Sequence, residues 1–243
     1  MREQDPSPAP NPNPNPNPKP GPGARPPEPP PLVIGVLGGI ASGKSAAARL
    51  IAGLDGLVLD ADRIAHEALA SDEVTALVAE RFGLEALDPS SGRPDRARLA
   101  KIAFEDPEAR RSLERWIHPR VRDRIRAELD AARERGIPRV VLDVPLLLEN
   151  DAEHGLARRC HVLVFVDADD RRREERAIRR RGWSQGEVAR RESAQLPLGE
   201  KRRRADFVLS NRGSEQDLER AVHDLLESAA FRACVTRAGE ASA

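Results

Sequence analysis

From Leu32 to about Leu226, apolar runs of strand length alternate with stretches whose apolar positions recur every three or four residues. "LVIGVL" (32–37) is rich in β-branched residues and runs into glycines, which predicts a buried strand. "SAAARLIAGL" follows as a helix with Ala47, Leu50, Ile51 and Leu54 on one face. A short strand in "GLVLDAD" ends at Asp60 and Asp62. About 75 residues of helical pattern come next. They comprise "RIAHEAL", "DEVTALVAERFG", a turn at "SSGRPDR", "ARLAKIAFED" and a long segment at 107–136. In that segment Ala109, Leu113, Ile117, Val121, Ile125, Leu129 and Ala132 recur at helical spacing. Pro119 predicts a new helix or a kink, and Gly136 the helix end.

Strands resume at "RVVLD" (139–143) and "CHVLVFVD" (160–167), the second a continuous apolar run suited to a parallel sheet. "DRRREERAIRRRG" reads as a basic helix. "SQGEVARRESAQ" reads as another, with Ser184 and Glu187 spaced as a capping box. "FVLS" (207–210) is a last strand, "NRGS" a turn, and "EQDLERAVHDLLESAA" a helix with Leu218, Val222 and Leu225 inward. The folded part shows no internal repeat. This order predicts an α/β fold, a parallel sheet flanked by helices with a helical insertion over 63–137.

The two ends differ. Residues 1–31 alternate Pro and Asn and then run "KPGPGARPPEPPP", with almost nothing apolar to bury. They predict a disordered, polyproline-like tail, either a spacer, an interaction tail or an extension from a misassigned start. Residues 231–243 are expected to be disordered too, which leaves 32–230 as the folded domain. No run reaches the ~18 apolar residues that span a bilayer, and no signal or transit pattern is present in the tail. Cys160 and Cys234 lie far apart and outside any C-x-x-C pair, which fits a reducing cytoplasm. Net charge is zero and tyrosine is absent. Neither a basic pull toward nucleic acid nor a base-stacking platform is indicated.

Chemistry concentrates in "LGGIASGKSAAARL" (37–50). A strand, a glycine-rich turn and a helix in that order form the context of a phosphate-binding loop. Gly38 and Gly43 permit a sharp turn and close backbone approach, and Gly39 to Ala46 would present N–H groups to an anion. Lys44 would reach the β- and γ-phosphates of ATP, and Ser45 would hold Mg2+. The bland alternative, a helix cap after a tight turn, leaves the full G-x-x-x-x-G-K-S spacing unexplained. Lysine occurs only at Lys19, Lys44, Lys101 and Lys201 in an arginine-rich chain, so a lysine at this place is notable.

Asp62 lies beyond a strand end, where open α/β sheets bind ligands. It would serve as a proton acceptor there, or, like Asp60, as a helix cap. Spacing alone does not choose. Asp143 also ends a strand, either near a magnesium ion or simply in a turn. In "RRREERAIRRR", Arg176 and Arg180 share a face and would close on a triphosphate as a lid over 170–200; a solvated helix is the plain alternative. The five histidines show no metal spacing. His118 touches a ligand or shapes the helix break, and Trp116 and Trp183 are expected to pack.

The ordered series "GVLGGIASGKS", "VLDADRIAHEAL", "IHP", "VVLDVPLLLE", "ERAIRR" and "AQLPLGEKRRRADFVLSNRGS" resembles the dephospho-CoA kinase family over nearly all of 32–226. The resemblance implies a P-loop NTPase-type sheet with an inserted helical acceptor-binding lobe and a helical lid. It implies ATP-dependent phosphorylation of the ribose 3′-hydroxyl of dephospho-CoA, the last step of coenzyme A synthesis. It also implies that Asp62 is the base, that Arg176 and Arg180 are lid arginines, and that Asn211 and Gly213 lie beside the adenine. Asp62, His118, Pro145 and Leu146 would be acceptor contacts. The chain departs from the pattern at Ala41 and Ala46, which replace a glycine and a threonine, at Arg181, which replaces Asp or Asn, and at Ser210, which replaces Asp. Ala46 removes a hydroxyl near the α-phosphate, which predicts modestly weaker nucleotide affinity. Competing readings are another P-loop kinase of small molecules or nucleotides, and a nucleotide-dependent switch, for which the guanine-reading N-K-x-D is absent. Sequence gives no oligomeric state.

Overall fold

The computed structural model describes residues 30–241, with side chains to Arg237. The tail expected to be disordered lies, but for its last two residues, outside the described residues.

Strand β1 (Leu32–Gly38) leads through the glycine loop into α1 (Lys44–Ala52), and β2 (Leu57–Asp60) follows. The insertion then supplies α2 (Ala61–Leu69), α3 (Asp72–Phe82), α4 (Arg96–Glu105) and the long α5 (Pro107–Glu134). Next come β3 (Arg139–Asp143), the short α6 (Asp151–His154), β4 (Val162–Asp167), α7 (Asp170–Arg181), α8 (Glu187–Glu192) and α9 (Leu198–Arg204). The last elements are β5 (Phe207–Ser210), α10 (Glu215–Glu227) and α11 (Ala229–Ala241). The five strands pair in parallel in the order β2-β3-β1-β4-β5. Strand β1 is central, flanked by β3 on one side and β4 on the other, so the loop after β1 opens at the point where ligands bind such sheets.

Alternate residues of β1 feed opposite cores, as a pleated strand requires. Val33 and Leu37 join Leu59, Leu142, Ile125 and Leu129 beneath α2 and α5. Ile34 and Val36 join Ala48, Ile51, Val164, Leu209 and Leu218 beneath α1 and α10. A separate cluster, centred on Val74, Val78 and Leu99, gives the insertion its own core.

Several expectations are corrected. Leu54 is fully exposed rather than facing the core. Gly53, at φ +70°, ends α1 before Leu54 can join the buried face. Of the two readings of Pro119, the new helix is excluded: α5 runs through it, and in that turn the Arg120 guanidinium donates to the Trp116 carbonyl at 2.6 Å. Ser184 and Glu187 form no capping box. Gly186 occupies the cap of α8, and Glu187 turns instead to Arg190 and Arg191. The chain beyond 231 is helical, not disordered, through Ala241. Phe231, Cys234 and Val235 recur at i, i+3 and i+4 and pack on the second core, with the Phe231 ring 5.5 Å from that of Phe207.

Candidate active site

The loop between β1 and α1 is held from within. Gly43 sits at φ +94°, where a side chain is strained, and a Cβ there would lie 2.2 Å from Asn211 Nδ2. Asn211 Nδ2 donates to the Ser42 carbonyl at 2.7 Å, and Arg176 Nη1 reaches the same oxygen at 3.3 Å. Ala41 lies at φ +57°, so the alanine found where the family pattern has glycine is in the left-handed region. Lys44 Nζ donates to the carbonyls of Gly38 (3.3 Å) and Gly39 (2.9 Å). Burial pushes the Lys44 pKa below its ordinary value; Asp143 opposes this, while Lys201 and Arg181 add to it.

At the neighbouring strand ends the two aspartates of "DAD" separate in role. Asp60 caps α2 by accepting from the Arg63 N–H at 3.0 Å. Asp62, one residue into the helix, faces the cavity beside the loop. Asp143, at the end of β3, is buried. Desolvation raises its pKa, opposed by the Ser45 hydroxyl and the Lys44 ammonium, while Asp60 and Asp62 push the same way as burial. Lys44, Ser45, Asp62 and Asp143 line one cavity of about 920 Å³, and Asp60 does not. Its remaining walls include Pro145 and Leu146, Arg176 and Arg180 of α7, and Asn211 and Gly213. Burial and the like charges of Arg172, Arg180 and Arg179 lower the Arg176 pKa. An anion entering here relieves that repulsion.

The cavity therefore gathers Ile40 to Ala46, Asp62, Pro145, Leu146, Arg176, Arg180, Asn211 and Gly213. It does not gather His118, which is exposed on α5, or Gly39, which faces the other side of the loop. Trp183, expected to pack, does so against the guanidinium groups of Arg181 (5.0 Å) and Arg191 (4.2 Å), and it also lines the cavity. Sequence reasoning passed over Glu149, Gln195 and Lys201. Lys201 is buried and bonds Glu149 at 2.6 Å and Gln195 at 3.0 Å. The rarity of lysine was one available signal, and all three residues lie within the motifs "VVLDVPLLLE" and "AQLPLGEKRRRADFVLSNRGS" that carry the family resemblance.

Among the described residues no three His, Cys, Asp or Glu side chains cluster as a protein-only metal cage. The Ser45 hydroxyl against the Asp143 carboxylate is a hard-oxygen pair, and it suits an ion whose other ligands are phosphate oxygens and water.

A loop of this build between a central parallel strand and its helix, closed by arginines from a later helix, defines a P-loop phosphotransferase. The dephospho-CoA kinase family model matches residues 32–217. A dephospho-CoA kinase of Parasynechococcus marenigrum is 43% identical over 190 residues, covering 78% of this chain and 92% of that protein. That of Thermus thermophilus is 40% identical over 196 residues, covering 81% and 91%. The crystal structure of TT1252 from Thermus thermophilus superposes with a TM-score of 0.63 at 40% identity, over 81% of this chain and 96% of that one. The chain belongs to the dephospho-CoA kinase family.

Proposed function

We propose that this protein transfers the γ-phosphoryl group of ATP to the ribose 3′-hydroxyl of dephospho-CoA, giving coenzyme A and ADP. The observation that carries this reading is the placement of Asp62, on the first turn of the helical insertion, in the cavity that holds Lys44. A family match over 32–217 gives that placement its substrate.

In this reading the loop N–H groups and Lys44 take the β- and γ-phosphates. Asn211 and Gly213 lie beside the adenine. Arg176 and Arg180 close over the phosphates and gather the charge that develops as the terminal P–O bond breaks. The acceptor oxygen forms the new P–O bond, and its proton passes to the Asp62 carboxylate. Pro145 and Leu146 form the acceptor side of the cavity. Ser45 and Asp143 would hold Mg2+, which neutralises phosphate charge when bound. The sequence reading gave His118 an acceptor contact, but its exposed position away from the cavity does not support one.

No helix among the described residues is long and apolar enough to cross a membrane. The free thiols of Cys160 and Cys234 suit a reducing compartment, and a cytoplasmic location is part of this proposal.

The test is ADP release from ATP and Mg2+ with and without dephospho-CoA, with mass spectrometry of the product. Acceptor-dependent ADP and a product heavier by one phosphate group are expected. A folded, ATP-binding protein without acceptor-dependent turnover would overturn the reading.

A further inference from the structure

A carboxylate beside a triphosphate loop needs a reason, and Glu192 is such a carboxylate. It sits at the last residue of α8, in the lid, yet its Oε1 accepts the Ile40 N–H at 2.6 Å. The same oxygen pairs with Arg173 Nη1 at 2.5 Å. Arg173 is 4% exposed, is also paired with Asp170, and reaches the Ile40 carbonyl at 3.4 Å. Unlike Arg176 and Arg180, it does not line the nucleotide cavity. Its charge is therefore directed at Glu192 and leaves the carboxylate compatible with a nearby anion.

Two further observations tie this pair to the chemistry. The Ile40 N–H and the Gly39 carbonyl belong to one peptide unit. Glu192 holds the N–H end and Lys44 Nζ holds the carbonyl end, so the plane of that peptide is clamped between a lid residue and the loop lysine. A Cβ at Gly39 would lie 2.6 Å from Arg173 Nη1 and 2.7 Å from Glu192 Oε1. Arg173 and Glu192 thus occupy the space a side chain at 39 would need.

We propose that Glu192 is a positioning residue: with its charge balanced by Arg173, it latches the lid to the tip of the phosphate loop and fixes the Gly39–Ile40 peptide on which Lys44 is aligned. Lid and loop then move as one body, and the closed site admits the acceptor in preference to water. This rests on the kinase reading above for its turnover readout, but not for its structural one.

The experiment compares Glu192→Ala, Glu192→Gln and Gly39→Ala with the unmodified protein. Glu192→Gln keeps an oxygen for the Ile40 N–H; Glu192→Ala removes it; Gly39→Ala pushes the pair off the loop. The Ala variant should lose about 10- to 100-fold in kcat with little change in KM for dephospho-CoA. It should also release more ADP than the coenzyme A it forms. The Gln variant should restore most of the turnover and return the products to equal amounts. Gly39→Ala should uncouple in the same way, and combining it with Glu192→Ala should add little.

Trypsin cleavage of the arginine-rich lid in nucleotide-free protein needs no acceptor. It should speed up in Glu192→Ala and Gly39→Ala and not in Glu192→Gln. Equal product amounts and unchanged lid cleavage in Glu192→Ala would overturn the latch. Unimpaired kcat with a lowered KM for ATP would make Glu192 a stand-in for phosphate, displaced on binding, and would also overturn it. An unmodified enzyme inactive on dephospho-CoA would sink the kinase reading alone and leave the cleavage comparison to decide the latch.

Discussion

Adding one methyl group at Gly43 tests the account of the phosphate loop most directly. The residue sits at φ +94°, and its absent Cβ would lie 2.2 Å from Asn211 Nδ2. Gly43→Ala therefore carries two separable penalties. Forcing an L-residue to positive φ costs about 1–2 kcal/mol. Displacing the Asn211 amide from the Ser42 carbonyl forfeits a buried hydrogen bond worth about 0.5–1.5 kcal/mol. The sum is about 1.5–3.5 kcal/mol. In a domain of about 200 residues it lowers Tm by roughly 3–14 °C. Asn211→Ala forfeits the same hydrogen bond without the strain. The double variant should then lose less than the sum of the singles, by about 1 kcal/mol, because one bond can be lost only once. Urea unfolding of the four nucleotide-free proteins measures this. Losses additive to within about 0.3 kcal/mol would refute the reasoning, since the methyl group would then be accommodated without moving Asn211.

Two further expectations concern turnover. Asp62→Asn should lower kcat by about 10²–10⁴-fold with little change in ATP affinity, as suits a proton acceptor; a near-normal kcat would reduce Asp62 to a positioning role. Burial holds Lys44 below its ordinary 10.5 and Asp143 above its ordinary 3.8. The pH profile of kcat/KM for ATP reports free-enzyme groups, so it should fall on the alkaline side before an ordinary lysine deprotonates. On the acid side it should fall above the pH at which an ordinary aspartate protonates. Limbs at the ordinary values would show that neither buried group governs nucleotide capture.

What the sequence made legible was local. Strand β1, its glycine loop and α1 are contiguous, so period, glycine spacing and the Lys-Ser pair could be read together. The order of strands and helices was legible because "LVIGVL" and the Val162–Val166 core of "CHVLVFVD" are unbroken apolar runs, as suits strands covered on both faces. Asp60 and Asp62 could not be told apart by spacing, since either suits a helix start; the residue whose oxygen meets the Arg63 N–H had to be seen. Trp183 packs, as aromatic residues usually do, but nothing in its sequence neighbours shows that Arg181 and Arg191 are the groups over its ring. The C-terminal helix was missed because its stripe of Phe231, Cys234 and Val235 finds its partner in Phe207 and the sheet, not in local sequence.

Gly39 shows where that boundary lies. Within the loop motif it reads as one more glycine that lets backbone approach phosphate. In the structure it faces away from the nucleotide cavity, and the room it leaves is taken by Arg173 and Glu192. The motif is contiguous because its parts act on one anion through consecutive N–H groups. The groups that hold the loop's outer side come from residues more than 130 positions away, and no local spacing records them. A glycine at 39 is the trace they leave in the loop itself. If Gly39→Ala and Glu192→Ala fail in the same way, that glycine is there to let the lid reach the loop, and the motif carries a contact with the lid as well as one with phosphate.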